Sequence, residues 1–126
     1  MKNLLVACLL ILPGLAWAQP DFTPLVEAAK RGDANALSAH MEAVVELTIL
    51  QEDNRLPKSS ATAQLAGFFS QNRPTNCTLV NKGMSDDKQS HFCVCNLSTG
   101  NGTFRLYFYL RQNAGKYLIR ELRIEK

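Results

Sequence analysis

Three of the four thiols, the two histidines and one oddly placed arginine are the side chains with the most chemical potential in this chain, since Cys8 belongs to the N-terminal leader. Cys77, Cys93 and Cys95 fall in one stretch near the middle, and His91 lies just before the last two. A cysteine pair brought face to face forms a disulfide, and a lone reactive thiol needs a neighbouring base or positive charge. Arg120 sits between Leu118 and Leu122, so a guanidinium placed among apolar residues has to find an acceptor, reach solvent or meet an anion. Asp86 and Asp87 are adjacent in a polar loop and read as solvated, and Glu46 alternates away from Val45, Leu47 and Ile49. His40 has no acidic or cysteine partner at helical spacing, which makes it an ordinary helix histidine rather than a ligand. No metal-ligand spacing, phosphate-binding glycine loop or serine nucleophile elbow occurs, so nothing in the pattern calls for a cofactor or metal.

The positioning elements follow from periodicity. Residues 1–18 read as a cleaved leader: Lys2 begins it, Leu4 to Leu12 is apolar, and Ala16-Trp17-Ala18 is a small-x-small cleavage site. Pro13-Gly14 breaks the run, which is too short for a membrane span. The expected destination is periplasmic or extracellular, where disulfides persist. Residues 19–126 then form a single domain. With 14 basic and 11 acidic side chains the balance is too even, and too little clustered, to point to nucleic acid or a membrane surface.

Pro24 and Gly32 bracket a first helix, Asp33 caps a second through about Met41, and Val45, Leu47 and Ile49 alternate as a strand. Glu52-Asp53-Asn54 reads as a polar turn. A third helix runs from about Ser59 to Asn72, with Phe68 and Phe69 as its largest apolar contribution. Four strands follow as a meander, ending in Gly102 to Glu125, where Phe104, Leu106, Phe108 and Leu110 alternate with polar or tyrosyl residues. Segregated helices and strands predict an α+β domain with helices on one face of an antiparallel sheet.

A three-residue loop at Asn113-Ala114-Gly115 sets Leu110 opposite Leu118, Phe108 opposite Arg120 and Leu106 opposite Leu122. By continuation Cys93 faces Phe108 and His91 faces Leu110 on the core side, with Cys77 opposite Cys95. Two readings of the thiols stand side by side: a Cys77–Cys95 disulfide with Cys93 free, or three buried thiols acting as small apolar residues. The same register turns Tyr107, Tyr109 and Ile119 outward among Arg105, Arg111, Glu121 and Arg123, which reads as an interaction surface or as the wet face of a small sheet.

Val45-Glu46-Leu47-Thr48-Ile49, the Ser60 to Asn72 helix with Phe68-Phe69 and Pro74, Asn81-Lys82-Gly83, Thr103-Phe104-Arg105 and the closing Ile119 to Glu125 together resemble the domain-of-unknown-function 4783 family. Its members are small exported bacterial proteins similar to the nuclear transport factor 2 (NTF2-like, cystatin-like) fold. The resemblance implies three N-terminal helices on a curved antiparallel sheet, a cavity between helices and sheet, and a homodimer through the open sheet face. It brings no activity. The functional expectation is an exported, non-catalytic binding or interaction module holding a small ligand or a protein partner, with Arg105, Tyr107, Tyr109 and Ile119 as its interface. The alternative is an enzyme whose pocket gathers Phe69, His91, Phe108 and Arg120.

Overall fold

Pro24 at the start and Gly32 past the end fix the first helix of the computed structural model, which describes residues 19–126. The leader expected at 1–18 lies outside the described residues. Helix α1 (Thr23–Arg31) ends where Gly32 turns left-handed at φ 65° and returns its N–H to the last carbonyls. A side chain is excluded there on two counts, since a β-carbon at Gly32 would also stand 3.1 Å from the Pro74 ring. Asp33 accepts the Ala36 N–H at 3.0 Å and starts the short helix α2 (Ala34–Ser38). Helix α3 (Lys58–Gln71) buries Ala61, Leu65, Phe68 and Phe69 along one face, and the Asn72 amide bonds back to the Phe68 carbonyl at 3.0 Å to close it.

Six strands make one sheet: β1 (Met41–Ile49), β2 (Glu52–Pro57), β3 (Pro74–Met84), β4 (His91–Thr99), β5 (Gly102–Asn113) and β6 (Lys116–Glu125). Their order is β2-β1-β6-β5-β4-β3. Two features correct the expected architecture. The Glu52–Pro57 segment is a strand, paired with β1 through a tight turn at Leu50 and Gln51, so the third helix follows a hairpin rather than belonging to an N-terminal set. And β1 runs parallel to β6, so the sheet is mixed. Helix α1 lies on β3 and β4, α3 on β1 and β2, and α2 bridges the two helices.

Every second residue of the central strands enters the core. Val45, Leu47, Cys93, Cys95, Leu97, Leu106, Phe108, Ile119, Leu122 and Ile124 are occluded to 2% exposure or less. Such values leave no water-sized space against these side chains. The centre of the helix–sheet interface is therefore filled, not hollow.

Register is where the strands depart furthest from expectation. The β5–β6 loop has two residues, Ala114 and Gly115, both left-handed (φ 53° and 83°), with Asn113 opposite Lys116. This sets Leu110 against Ile119 and Phe108 against Leu122, and Arg120 becomes the extra residue of a bulge. The expected Phe108–Arg120 pairing does not form. Ile119, expected on the outer face, is fully buried instead, because the shorter loop shifts β6 by one residue before the bulge restores the alternation at Leu122. A second bulge between Leu79 and Asn81 turns Asn81 away from the core, opposite Val94.

Candidate functional site

The four residues expected to share a pocket do not come together. Phe69 packs beside Gly32 and Pro74, at the end of the sheet where Pro74 pairs with Thr99. His91 stands at the other end of β4, roughly 26 Å away along a strand rising about 3.3 Å per residue. Between them Phe108 is wholly buried. His91 is half-buried and meets the Tyr117 ring edge-on, with centroids 5.1 Å apart.

Arg120 has found a structural acceptor. Its Nε donates to Ser90 Oγ at 3.0 Å, and Ser90 is 1% exposed. Ser90 belongs to a polar loop in which the Ser85 hydroxyl and the Gln89 N–H both donate to the Asp87 carboxylate. These two bonds, with a smaller contribution from the Arg120 charge, hold the Asp87 carboxyl below its usual range. The guanidinium thus anchors the β3–β4 connection rather than a ligand site.

Among the described residues Cys77, Cys93 and Cys95 are free thiols, so the expected Cys77–Cys95 bridge is absent. The cause is register: Cys77 stands opposite Leu97, and Cys95 opposite Leu79, so the two are diagonal neighbours. The three thiols lie side by side, Cys95 between Cys77 and Cys93, and perturb one another. The hydrogen bond to Cys95, and then burial, push the Cys77 thiol far up. At Cys95 the bond received from Cys77 pulls down, but the bond to Cys93 and burial outweigh it and the thiol is pushed up to about 12. None of this is the electropositive, accessible setting of a reactive cysteine.

The outer face of the sheet carries the other group of expected residues. Tyr107 and Tyr109 are half-buried on β5, opposite Val94 and Phe92 of β4, and Arg105 is exposed beyond them. Phe92 lies over Gly83, whose missing β-carbon would stand 3.1 Å from the ring, and its centroid is 6.3 Å from that of Tyr109. These side chains cover one another well enough to leave Val94 only 8% exposed. The patch does not sit inside a ring of charge. It occupies the β4–β5 half of the face, and charge fills the β6-β1-β2 half, where Glu121 pairs with Glu46, and Glu46 in turn with Arg55. Burial first, then the Glu121 charge, raises the Tyr109 hydroxyl above its ordinary range. Arg111, counted among the face's charges, is engaged within the chain: it grips Glu42 through two bonds of 2.9 and 3.3 Å, spanning β6 between them.

One groove, about 1330 Å³, opens at one end of the sandwich between α3 and the β1–β2 turn, above Phe68 and Phe104. Lys126 lies across its floor with Nζ 4.7 Å from the Phe104 ring centroid and bonded to the Asn101 carbonyl at 2.8 Å. It is an open cleft and includes none of the four expected pocket residues. Among the described residues no set of His, Cys, Asp or Glu side chains could hold a metal ion, and no helix is long and apolar enough to cross a membrane.

The sequence profile of the domain of unknown function DUF4783 matches residues 22–125. The chain belongs to the DUF4783 family. Crystal structures of DUF4783 family proteins share its fold: that from Bacteroides ovatus has TM-score 0.80 and 31% identity over 86% of this chain and 97% of the other. The Bacteroides fragilis protein gives 0.78 and 31% over 86% and 99%. An NTF2-like protein of unknown function from Shewanella baltica matches at TM-score 0.61 with 10% identity, over 82% of this chain and 86% of the other, which shows the fold alone. No curated protein matches the chain. DUF4783 membership and the NTF2-like α+β architecture agree with the expectation from sequence, apart from the placement of the third helix and the mixed sheet.

Proposed function

We propose that this DUF4783 protein is an exported, non-catalytic interaction module that self-associates through the aromatic half of its outer sheet face. The observation that carries the reading is the cluster of Phe92, Val94, Tyr107 and Tyr109, assembled on a face that no helix of the described residues covers. Tyrosine beside arginine is the composition favoured at protein interfaces, and a patch presented on a rigid sheet loses little conformational entropy on docking. The filled interior and the separation of His91 from Phe69 favour a surface role over an internal pocket. Export rests on the leader at 1–18 and its cleavage after Ala18.

Sedimentation velocity of the mature chain tests the surface. The expected result is a dimer at micromolar concentration, converted to monomer by the double substitution Tyr107→Glu with Tyr109→Glu while the circular dichroism spectrum is retained. A double variant that remains dimeric would remove this face from consideration. Intact mass of the exported protein tests the leader: a chain beginning at Gln19 is expected, and one retaining residues 1–18 refutes cleavage.

A further inference from the structure

One row of side chains crosses the outer face at right angles to the strands: Phe92 on β4, Tyr109 on β5, Glu121 on β6, Glu46 on β1 and Arg55 on β2. Its aromatic end is the proposed interface, and its centre is a pair of carboxylates placed directly opposite each other. Like charges at opposed positions repel. Both acids of the row are half-buried, and Glu121 is the one that stands directly opposite Tyr109 of β5.

We propose that self-association through this face is acid-strengthened, with Glu121 as the group that takes up a proton when a second copy covers it. The inference rests on the interface reading above and adds its regulation. The charged groups around Glu121 come from every neighbouring strand. Tyr109 faces it from β5, Glu46 from β1 and Asp53 from β2, while Arg120 and Arg123 flank it on β6. Arg55 does not neutralise the acid pair fully, since it stands 3.8 Å from Glu46 and is largely solvated. Arg123 is drawn the other way, to Glu125 at 3.0 Å. Already in the single chain, burial and then the Glu46 charge raise the Glu121 carboxyl above its usual range, against the pull of the two arginines.

The sign follows from linkage. Covering the face removes more water from Glu121, which raises its proton affinity further in the dimer than in the monomer. A dimer that binds more protons than two monomers is favoured as pH falls. In a two-fold assembly the patch meets its own copy, so both Glu121 carboxyls contribute.

The test is the dimer dissociation constant of the mature protein, measured by sedimentation at about pH 7.5 and about pH 5, where a differential shift of one pKa unit per chain corresponds to roughly tenfold or more. Tighter association at the lower pH is expected, with Glu121→Gln associating at the higher pH as tightly as the unaltered protein does at the lower and losing the pH dependence. Glu46→Gln, which relieves only the repulsion, should move the transition to lower pH. Glu121→Gln also separates this group from the histidines His40 and His91. A dimer whose affinity is indifferent to pH, or weaker in acid, or equally pH-dependent in Glu121→Gln, overturns the inference and leaves the interface standing. A protein that is monomeric at both values, with Glu121→Gln monomeric as well, overturns both.

Discussion

Arg120 shows how a residue that reads as a functional anomaly becomes structural once the backbone around it is known. Its place between Leu118 and Leu122 suggests a guanidinium in the core, but the bulge on β6 removes it from the alternation and brings it to Ser90. Arg120→Leu should therefore cost about 1–2 kcal/mol, the range for losing a hydrogen bond to a buried hydroxyl. Chemical denaturation checks this, and Ser90→Ala should lose much the same. Asp87 in the same loop adds a pH dependence. Its folded carboxyl titrates below the unfolded one, so its contribution is complete above the ordinary aspartate range and lost as pH falls through the depressed value. Asp87→Asn should flatten the acid limb of a stability–pH profile between those limits. Neither residue announces this role in the sequence, because a bulge is set by turn length and twist rather than by residue type at the bulged position.

Helix limits were legible because their signals are local. Pro24, Gly32 and Asp33 each act on the backbone within a turn, so α1 and the start of α2 lie where those residues place them, whereas α2 stops at Ser38, short of the expected Met41, which instead opens β1. The β1–β2 hairpin was not legible, since its turn is Leu50-Gln51 with Leu50 left-handed at φ 60°, a position glycine or asparagine takes far more readily. Glu52 to Pro57 also lacks an apolar alternation, being an edge strand that is mostly exposed. Leu50→Gly should raise stability by roughly 0.5–1 kcal/mol through relief of that strain, because the leucine is 48% exposed and contributes little burial. The converse holds at Gly32, where Gly32→Ala meets both a left-handed backbone and the Pro74 ring and should lower stability by about 1–2 kcal/mol. Thermal unfolding of the two single variants should give opposite shifts.

Across the whole molecule, α+β class and family were readable from alternation and helix spacing, while the sheet's order was not. The β1–β6 pairing joins segments some seventy residues apart and is parallel, and nothing local in either strand specifies it. That pairing also creates the Glu46–Glu121 contact, which is why the acid row was invisible before the strands were laid side by side. Core placement of the cysteines was correct in kind, all three being buried, but the diagonal offset of Cys77 from Cys95 depends on the β3 register. Enclosed as they are, the thiols should react with an aromatic disulfide reagent only as fast as the sheet opens, so labelling at mildly alkaline pH should track global or β3 unfolding and not the reagent concentration. Rapid labelling of the native protein would contradict the burial.

The place of β6 between β1 and β5 bears on the order in which the chain is made. Strands β1 and β2 leave the ribosome early, yet the neighbour that closes their inner edge consists of Lys116–Glu125, the sixth strand in chain order. Until that segment emerges, β1 with β2 and β5 with β4 and β3 are two half-sheets, each exposing Leu47 or Phe108 to water. A chain lacking residues 116–126 should accordingly fail to fold, giving a circular dichroism spectrum without cooperative melting. The topology thus keeps the two half-sheets apart until β6 is in place, and the domain commits to its final shape only once that strand joins them.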